Sequence, residues 1–265
     1  MTNMKRTPYV TLVGAGPGDP ELISVKGMKA IQKADVILYD ALSGKELLEY
    51  APVGCPKIYV GKRGGCSSIS QDEINELIVR CANQYGHVVR LKGGDSFVFG
   101  RGYEEVSYVE KQGIETLVIP GISSSISVPA LEGIPLTVRG VNESFWVTTA
   151  TLRSGELSND IHLAANSSAT IVILMGLHKI AEIMQVFKNN AKYDVPVAVI
   201  QNGSLPDQKI ALGTVNTIVE EVHKKQLAAP AIIMIGEVVS LHKHYSKQHV
   251  LRKLVGDVIH YEKVG

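Results

Sequence analysis

Short Val/Ile/Leu-rich runs recur along the whole chain and constrain its fold more than any other feature. In the first half they are YVTLVG at 9–14, ADVILYD at 34–40, KIYVG at 57–61, HVVRLKG at 87–93 and ETLVIPG at 115–121. Runs this short and this continuously apolar suit strands covered on both faces, as in a parallel sheet. Between them lie segments with helical spacing. In SQDEINELIVRCAN at 70–83, Ile74, Leu77, Ile78 and Cys81 fall on one face, and Ser70 followed by Glu73 has the form of a capping box. Strands alternating with helices predict an α/β fold.

After Pro135 the pattern pauses in LTVRGVNES, then resumes with FWVTTA at 145–150, TIVILMG at 170–176, VPVAVIQNG at 195–203, KIALG at 209–213 and PAIIMIG at 230–236. The pause sets the expected boundary: an N-terminal α/β domain over 1–137 with a mainly parallel sheet, and a C-terminal α/β domain over 138–241. Only SLPDQ separates two of the later strands, so the second sheet should be mixed. Two α/β domains with a cofactor cleft between them is the expected architecture. Residues 242–265 read as a solvated basic tail. Its His242, His244 and His249 are joined by no carboxylate or cysteine at ligand spacing, so no metal site is expected.

With 265 residues, 45% of them apolar, the chain can fill substantial cores. Lys and Arg total 27 against 26 Asp and Glu, which argues against a nucleic-acid or anionic-membrane partner. Cys55, Cys66 and Cys81 form no C-x-x-C pair, and an odd count reads as a reducing compartment. There is no signal-peptide pattern and no run of membrane-spanning length, so a cytoplasmic protein is expected.

Four loop elements carry candidate chemistry. VGAGPGDP at 13–20 sits where a dinucleotide fingerprint would, but Asp19 stands where the last glycine is needed and Pro17 removes a backbone donor. A nicotinamide-dependent dehydrogenase is therefore disfavoured. VVRLKGGDSFVFGRG at 88–102 is more specific: Gly93 and Gly94 let a ligand approach the backbone, and Asp95 can accept from ribose hydroxyls or an amine. Arg101 and Glu104 follow at i,i+3 and could equally form a surface pair. PGISSS at 120–125 offers Ser123 and Ser124 where a helix begins, and ILMG with QNG places Met175 and Gly203 at strand ends of the second half.

These elements, in this order, resemble the uroporphyrinogen III C-methyltransferase family of tetrapyrrole methylases over about residues 10–241. The matching pieces include VGAGPGDPELISVKG, YDAL, VGKRGG, VVRLKGGDSFVFGRG, PGISS, GIPLTVRG, LMGL, VAVIQNGSLPDQ and PAIIMIGEVVSL. The resemblance implies the tetrapyrrole methylase fold, a homodimer and S-adenosylmethionine as donor, leaving S-adenosylhomocysteine. It also implies two methyl transfers, to C2 and C7 of uroporphyrinogen III, giving precorrin-2 for sirohaem or corrinoid biosynthesis. By position it assigns Pro17, Gly93, Gly94, Asp95, Val98, Ser123, Ser124, Met175 and Gly203 to the cofactor. Asp40 and Lys62 match positions given proton-transfer roles, and Arg101, Glu104 and Arg139 match charged residues acting on the substrate.

The chain departs from the family pattern at Ser96, where GGDP is common, at Cys66 and Val138, where histidines are common, and at TTAT over 148–151, where VTGH is common. Rival readings are a same-fold methylase acting on a later corrin intermediate, on diphthamide or on ribosomal RNA, and a non-catalytic S-adenosylmethionine-binding regulator. Methyl transfer from a sulfonium is an in-line displacement, so positioning a nucleophilic carbon about 3 to 3.5 Å from the methyl dominates the barrier. Arg101 and Arg139 suit bidentate pairing with substrate carboxylates, and Glu104 or Asp40 could take the departing proton.

Overall fold

All ten apolar runs form strands in the computed structural model, which describes residues 7–61, 69–152 and 154–245. Lys62, Cys66 and His249 lie outside the described residues. The chain divides into two units, one ending at Ser123 and the next starting at Ser124.

The first unit holds strands β1 (Tyr9–Gly14), β2 (Val36–Tyr39), β3 (Lys57–Tyr59), β4 (His87–Lys92) and β5 (Glu115–Ile119) in the order β3-β2-β4-β1-β5. Every pairing is parallel, as the continuous apolar runs require. Helices α1 (Val25–Ile31), α2 (Gln71–Tyr85) and α3 (Gly102–Lys111) make the crossovers. Period-two alternation sorts the strand residues between layers: Val10, Leu12, Val36, Leu38 and Val88 meet Ile74, Ile78 and Cys81 of α2 and Val106 and Val109 of α3. Their alternates Val13, Ile37, Val89 and Leu91 pack instead with Ile31 of α1 and with Leu47 and Leu48 of a short 3-10 turn. Helix α2 starts at the expected capping box, with the Ser70 hydroxyl accepting from Glu73 N–H and Glu73 accepting from Ser70 N–H at 2.7 Å.

The second unit holds α4 (Ser124–Leu131), β6 (Phe145–Thr149), α5 (Asn159–Asn166), β7 (Thr170–Leu174), α6 (Ile180–Asn189), β8 (Pro196–Gln201), β9 (Lys209–Thr214), α7 (Ile218–Lys224) and β10 (Ala231–Ile235). Its strand order is β6-β7-β10-β8-β9. β6 and β7 run parallel while β10, β8 and β9 join antiparallel, the mixed sheet expected from the short β8–β9 connection. Helices α5, α6 and α7 cover one face, meeting Ile171, Ile173, Val197, Val199 and Ile233. The opposite face is closed by Ile134, Val238 and Val239 over Val172, Ala198 and Met234, and by Val128 of α4 over Ile200 and Ile232.

The division falls earlier than the sequence pause because α4 and Ile134 bury their apolar side chains against the second sheet. A second difference concerns the start of the expected tail. His242 is buried, its Nε2 3.1 Å from Glu132 Oε2 and its Nδ1 accepting from His244 N–H at 3.2 Å. Tyr245 donates its hydroxyl to the Gly213 carbonyl at 3.1 Å. His242 and Tyr245 thus anchor the start of this segment to the second unit, while Lys243 and His244 between them stay exposed; charge alone does not reveal a histidine whose two ring nitrogens both find partners.

Candidate active site

In an open parallel sheet, ligand sites form at the carboxyl ends of strands, at the crevice where neighbouring strands send their connections in opposite directions. In the first unit this point lies between β2 and β4: the chain leaves β2 for β3 on one side and β4 for β5 on the other. Asp40 directly follows β2, while Gly93, Gly94 and Asp95 follow β4, so the fold brings these four sequence-predicted residues to one edge. The two loops touch, a Cβ at Gly93 falling 2.6 Å from the Leu42 carbonyl oxygen.

The loops after β1 and β5 join the same edge. Gly94 N–H donates to Gly16 O at 2.7 Å and Gly16 N–H donates back to Gly94 O at 3.2 Å. Gly14 and Gly121 approach so closely that a Cβ on Gly121 would lie 2.2 Å from Gly94 O, and one on Gly14 2.4 Å from Gly121 N. No side chain fits at either position. Asp95 ties the loops together, with Oδ2 accepting from Gly121 N–H at 2.9 Å and Oδ1 from Phe97 N–H at 2.8 Å. Its first task is therefore to fix the loop, and each carboxylate oxygen retains a lone pair. Pro17 is half-buried beside Gly16, Val98 is exposed and Ser123 is buried at the end of this unit.

Behind Asp40 lies a set of charges that the sequence reading missed. Arg90 and Lys92 share one face of β4 with Val88, the face that α2 and α3 cover. Arg90 donates from NH2 to Asp40 Oδ1 at 2.7 Å and from Nε to Glu105 Oε1 at 3.2 Å. Lys92 Nζ reaches Glu105 Oε1 at 3.0 Å and lies 3.7 Å from Asp40 Oδ2. Gln71 Nε2 donates to the same Glu105 oxygen at 3.2 Å. Arg90, Lys92 and Glu105 are buried, whereas 27% of the Asp40 side chain is exposed. The missed signal was two cations at i and i+2 in an otherwise apolar strand, since a buried cation needs a carboxylate opposite it.

Arg101 and Glu104 form a bidentate pair, Nε to Oε1 at 2.9 Å and NH2 to Oε2 at 2.6 Å, with 54% and 51% of the side chains exposed. Such a pair is worth at most about 1 kcal/mol, so both groups can exchange partners cheaply.

In the second unit Ser124 opens α4, and Met175 and Gly203 follow β7 and β8. Both of these strands run antiparallel to β10, so Met175 and Gly203 share the carboxyl edge of this sheet, together with TTAT at the end of β6. A Cβ at Gly203 would lie 2.4 Å from a Val128 methyl, which explains the glycine by packing alone. Arg139 is exposed and is not brought to that edge: Asn142, three residues on, donates to Ser144 O at 2.9 Å and Thr170 Oγ1 at 3.0 Å, at the amino ends of β6 and β7. Asn142, also missed by the sequence reading, accepts from Val138 N–H at 3.0 Å and so fixes the loop that carries Arg139.

Backbone strain marks the same loops. Seven non-glycine residues have left-handed φ among the described residues; Ala191 and Gln226 end helices, whereas Phe99, Arg101, Met175, Asn202 and Ser204 lie in the 93–102, 175–176 and 201–204 segments. Left-handed backbone outside glycine costs on the order of 1–3 kcal/mol and clusters at functional sites.

Comparison with known proteins agrees with this geometry. The sequence model of the Tetrapyrrole (Corrin/Porphyrin) Methylases matches residues 9–219. A uroporphyrinogen-III C-methyltransferase from Methanocaldococcus jannaschii is 46% identical over 89% of this chain and 98% of its own. An S-adenosyl-L-methionine-dependent uroporphyrinogen III methyltransferase from Methanosarcina barkeri is 42% identical over 90% of this chain and 95% of its own. Among solved structures, the Thermus thermophilus uroporphyrin-III C-methyl transferase complexed with S-adenyl homocysteine superposes with a TM-score of 0.75 at 35% identity, covering 88% of this chain and 99% of that one. With the family model matching residues 9–219 and relatives more than 40% identical over nearly their whole length, the chain belongs to the tetrapyrrole methylases.

Proposed function

We propose that the chain transfers two methyl groups from S-adenosylmethionine to uroporphyrinogen III, giving precorrin-2. The observation that carries this reading is the β2–β4 switch point, where a glycine cradle and a partly exposed carboxylate meet at one sheet edge in a chain closely similar to enzymes of that name.

The cradle fits a methyl-donating nucleoside. A Cβ at Gly94 would meet nothing within 4 Å, so the loop surface is open there, and Asp95 offers acceptor capacity beside it. When bound, S-adenosylmethionine supplies an electrophilic methyl on sulfur. Pro17, Gly93, Gly94, Asp95, Val98 and Ser123 hold it in the first unit, and Ser124, Met175 and Gly203 are assigned to it in the second. The remaining work is positioning and charge. Arg101 pairs with substrate carboxylates, Arg139 keeps the same assignment by resemblance although its loop lies at the amino ends of β6 and β7, Glu104 releases or recaptures Arg101, and Asp40 takes up the proton that the methylated pyrrole carbon must lose. Lys62 retains a proton-transfer assignment by resemblance. No described helix is long and apolar enough to cross a membrane. The reading also includes a cytoplasmic homodimer, as in the family resemblance.

The test is incubation of purified protein with methyl-labelled S-adenosylmethionine, with and without uroporphyrinogen III, under anaerobic conditions. Label in the tetrapyrrole fraction is expected. S-adenosylhomocysteine binding without transfer would overturn the substrate assignment and leave the donor standing.

A further inference from the structure

The buried charges behind Asp40 are an expensive way to fill a core. Removing an ion from water costs several kcal/mol even after relaxation, and packed apolar side chains in the same space are often as stable or more so. Arg90, Lys92 and Glu105 are each at most 5% exposed, and the second Glu105 oxygen, Oε2, has no hydrogen-bond partner among the described residues. Stability alone gives no reason for this arrangement.

Its geometry has a direction. Glu105 Oε1 gathers Arg90 Nε at 3.2 Å, Lys92 Nζ at 3.0 Å and Gln71 Nε2 at 3.2 Å, so both cations are tied to one interior oxygen. Both then point outward to one carboxylate, Arg90 NH2 to Asp40 Oδ1 at 2.7 Å and Lys92 Nζ toward Oδ2 at 3.7 Å. Of the four charged groups, Asp40 alone reaches solvent appreciably, at the edge where ligands bind. A carboxylate on a loop has free rotation about its side-chain torsions; one hydrogen-bonded at Oδ1 and facing a cation at Oδ2 is restrained from behind.

We infer that Arg90, Lys92 and Glu105 are positioning residues for Asp40: Glu105 fixes the two cations, and the cations fix the face that Asp40 presents to the substrate. The inference rests on the proposed participation of Asp40 in methyl transfer. Because none of the three inner residues is exposed to a ligand, their effect on turnover must pass through Asp40.

The test is a double-mutant cycle on single-turnover rate with Glu105→Gln, which keeps shape, and Asp40→Asn, using S-adenosylhomocysteine binding and thermal melting to confirm folding. Glu105→Gln alone should lower the rate at least about tenfold while KM for both substrates stays within about twofold. In the Asp40→Asn background the same change should cost less than about twofold, because the group it acts through is gone. Additive losses, or a Glu105→Gln rate equal to the wild type, would overturn the inference. An Asp40→Asn variant with full turnover would remove the reading beneath it as well, a distinguishable result. Should Glu105→Gln not fold, Lys92→Gln replaces it in the cycle under the same criteria, and failure of both to fold would show the cluster to be purely architectural and overturn the positioning role.

Discussion

The Asp95 carboxylate accepts the Gly121 backbone N–H at 2.9 Å, tying the loop after β4 to the loop after β5 across twenty-six positions of sequence. One side chain thereby braces two loops at the edge where the cofactor is proposed to bind. Asp95→Ala leaves two backbone donors without this acceptor. We expect a stability loss of about 1–3 kcal/mol and S-adenosylhomocysteine affinity weakened by about tenfold or more, read by urea unfolding and titration calorimetry. Affinity unchanged from the wild type would remove Asp95 from the cofactor site.

Arg101 is held by a solvent-exposed partner, whereas Arg139 projects from a loop fixed by Asn142. A charge-assisted hydrogen bond contributes about 1.5–3 kcal/mol. Replacing either arginine by Ala should therefore lower kcat/KM for uroporphyrinogen III by about 10- to 100-fold while S-adenosylhomocysteine affinity is retained. Steady-state kinetics with both variants check this. Full activity in the Arg139 variant would confine carboxylate recognition to the first unit.

Ser96 follows Asp95 in the loop after β4, and its hydroxyl is buried with no hydrogen-bond partner among the described residues. An unpaired buried hydroxyl costs about 1–3 kcal/mol. Ser96→Ala is expected to raise the urea midpoint, with methyl transfer unaffected. A lowered midpoint would show that the hydroxyl is satisfied.

His87 lies at the opposite end of β4, its Nε2 2.8 Å from Thr11 Oγ1 and its Nδ1 3.1 Å from the Lys33 carbonyl. Burial pushes its pKa below the usual 6.5, the Lys33 carbonyl opposing the shift. The unfolded chain then binds the proton more readily, so this contribution is fully present above pH 6.5 and is lost as pH falls toward the folded value. Against His87→Gln, the wild-type stability advantage measured by urea unfolding should shrink between pH 7.5 and pH 5.5. An advantage that grows on acidification would contradict the buried neutral ring.

Much of the fold was legible because a strand buried on both faces is mostly apolar, and runs such as TIVILMG and PAIIMIG announce themselves. The Ser70–Glu73 cap was legible for the same kind of reason, since its chemistry is local. Long-range pairing was not. Nothing near Glu105 in sequence shows that it faces Arg90 and Lys92, and the family resemblance assigns a role to its neighbour Glu104 instead. The roles of Asn142 and His242 were missed likewise, because Asn142 reaches Thr170 of β7 and His242 reaches Glu132, each far away in sequence. The glycine loops could be placed, but Asp95 as a strut between two loops needed the fold.

The most direct measurement is the mass of the oxidised tetrapyrrole recovered after anaerobic reaction of the protein with uroporphyrinogen III and excess S-adenosylmethionine. Gain of two methyl groups is the predicted result. An unmethylated tetrapyrrole, from protein that binds S-adenosylhomocysteine, would contradict the assignment.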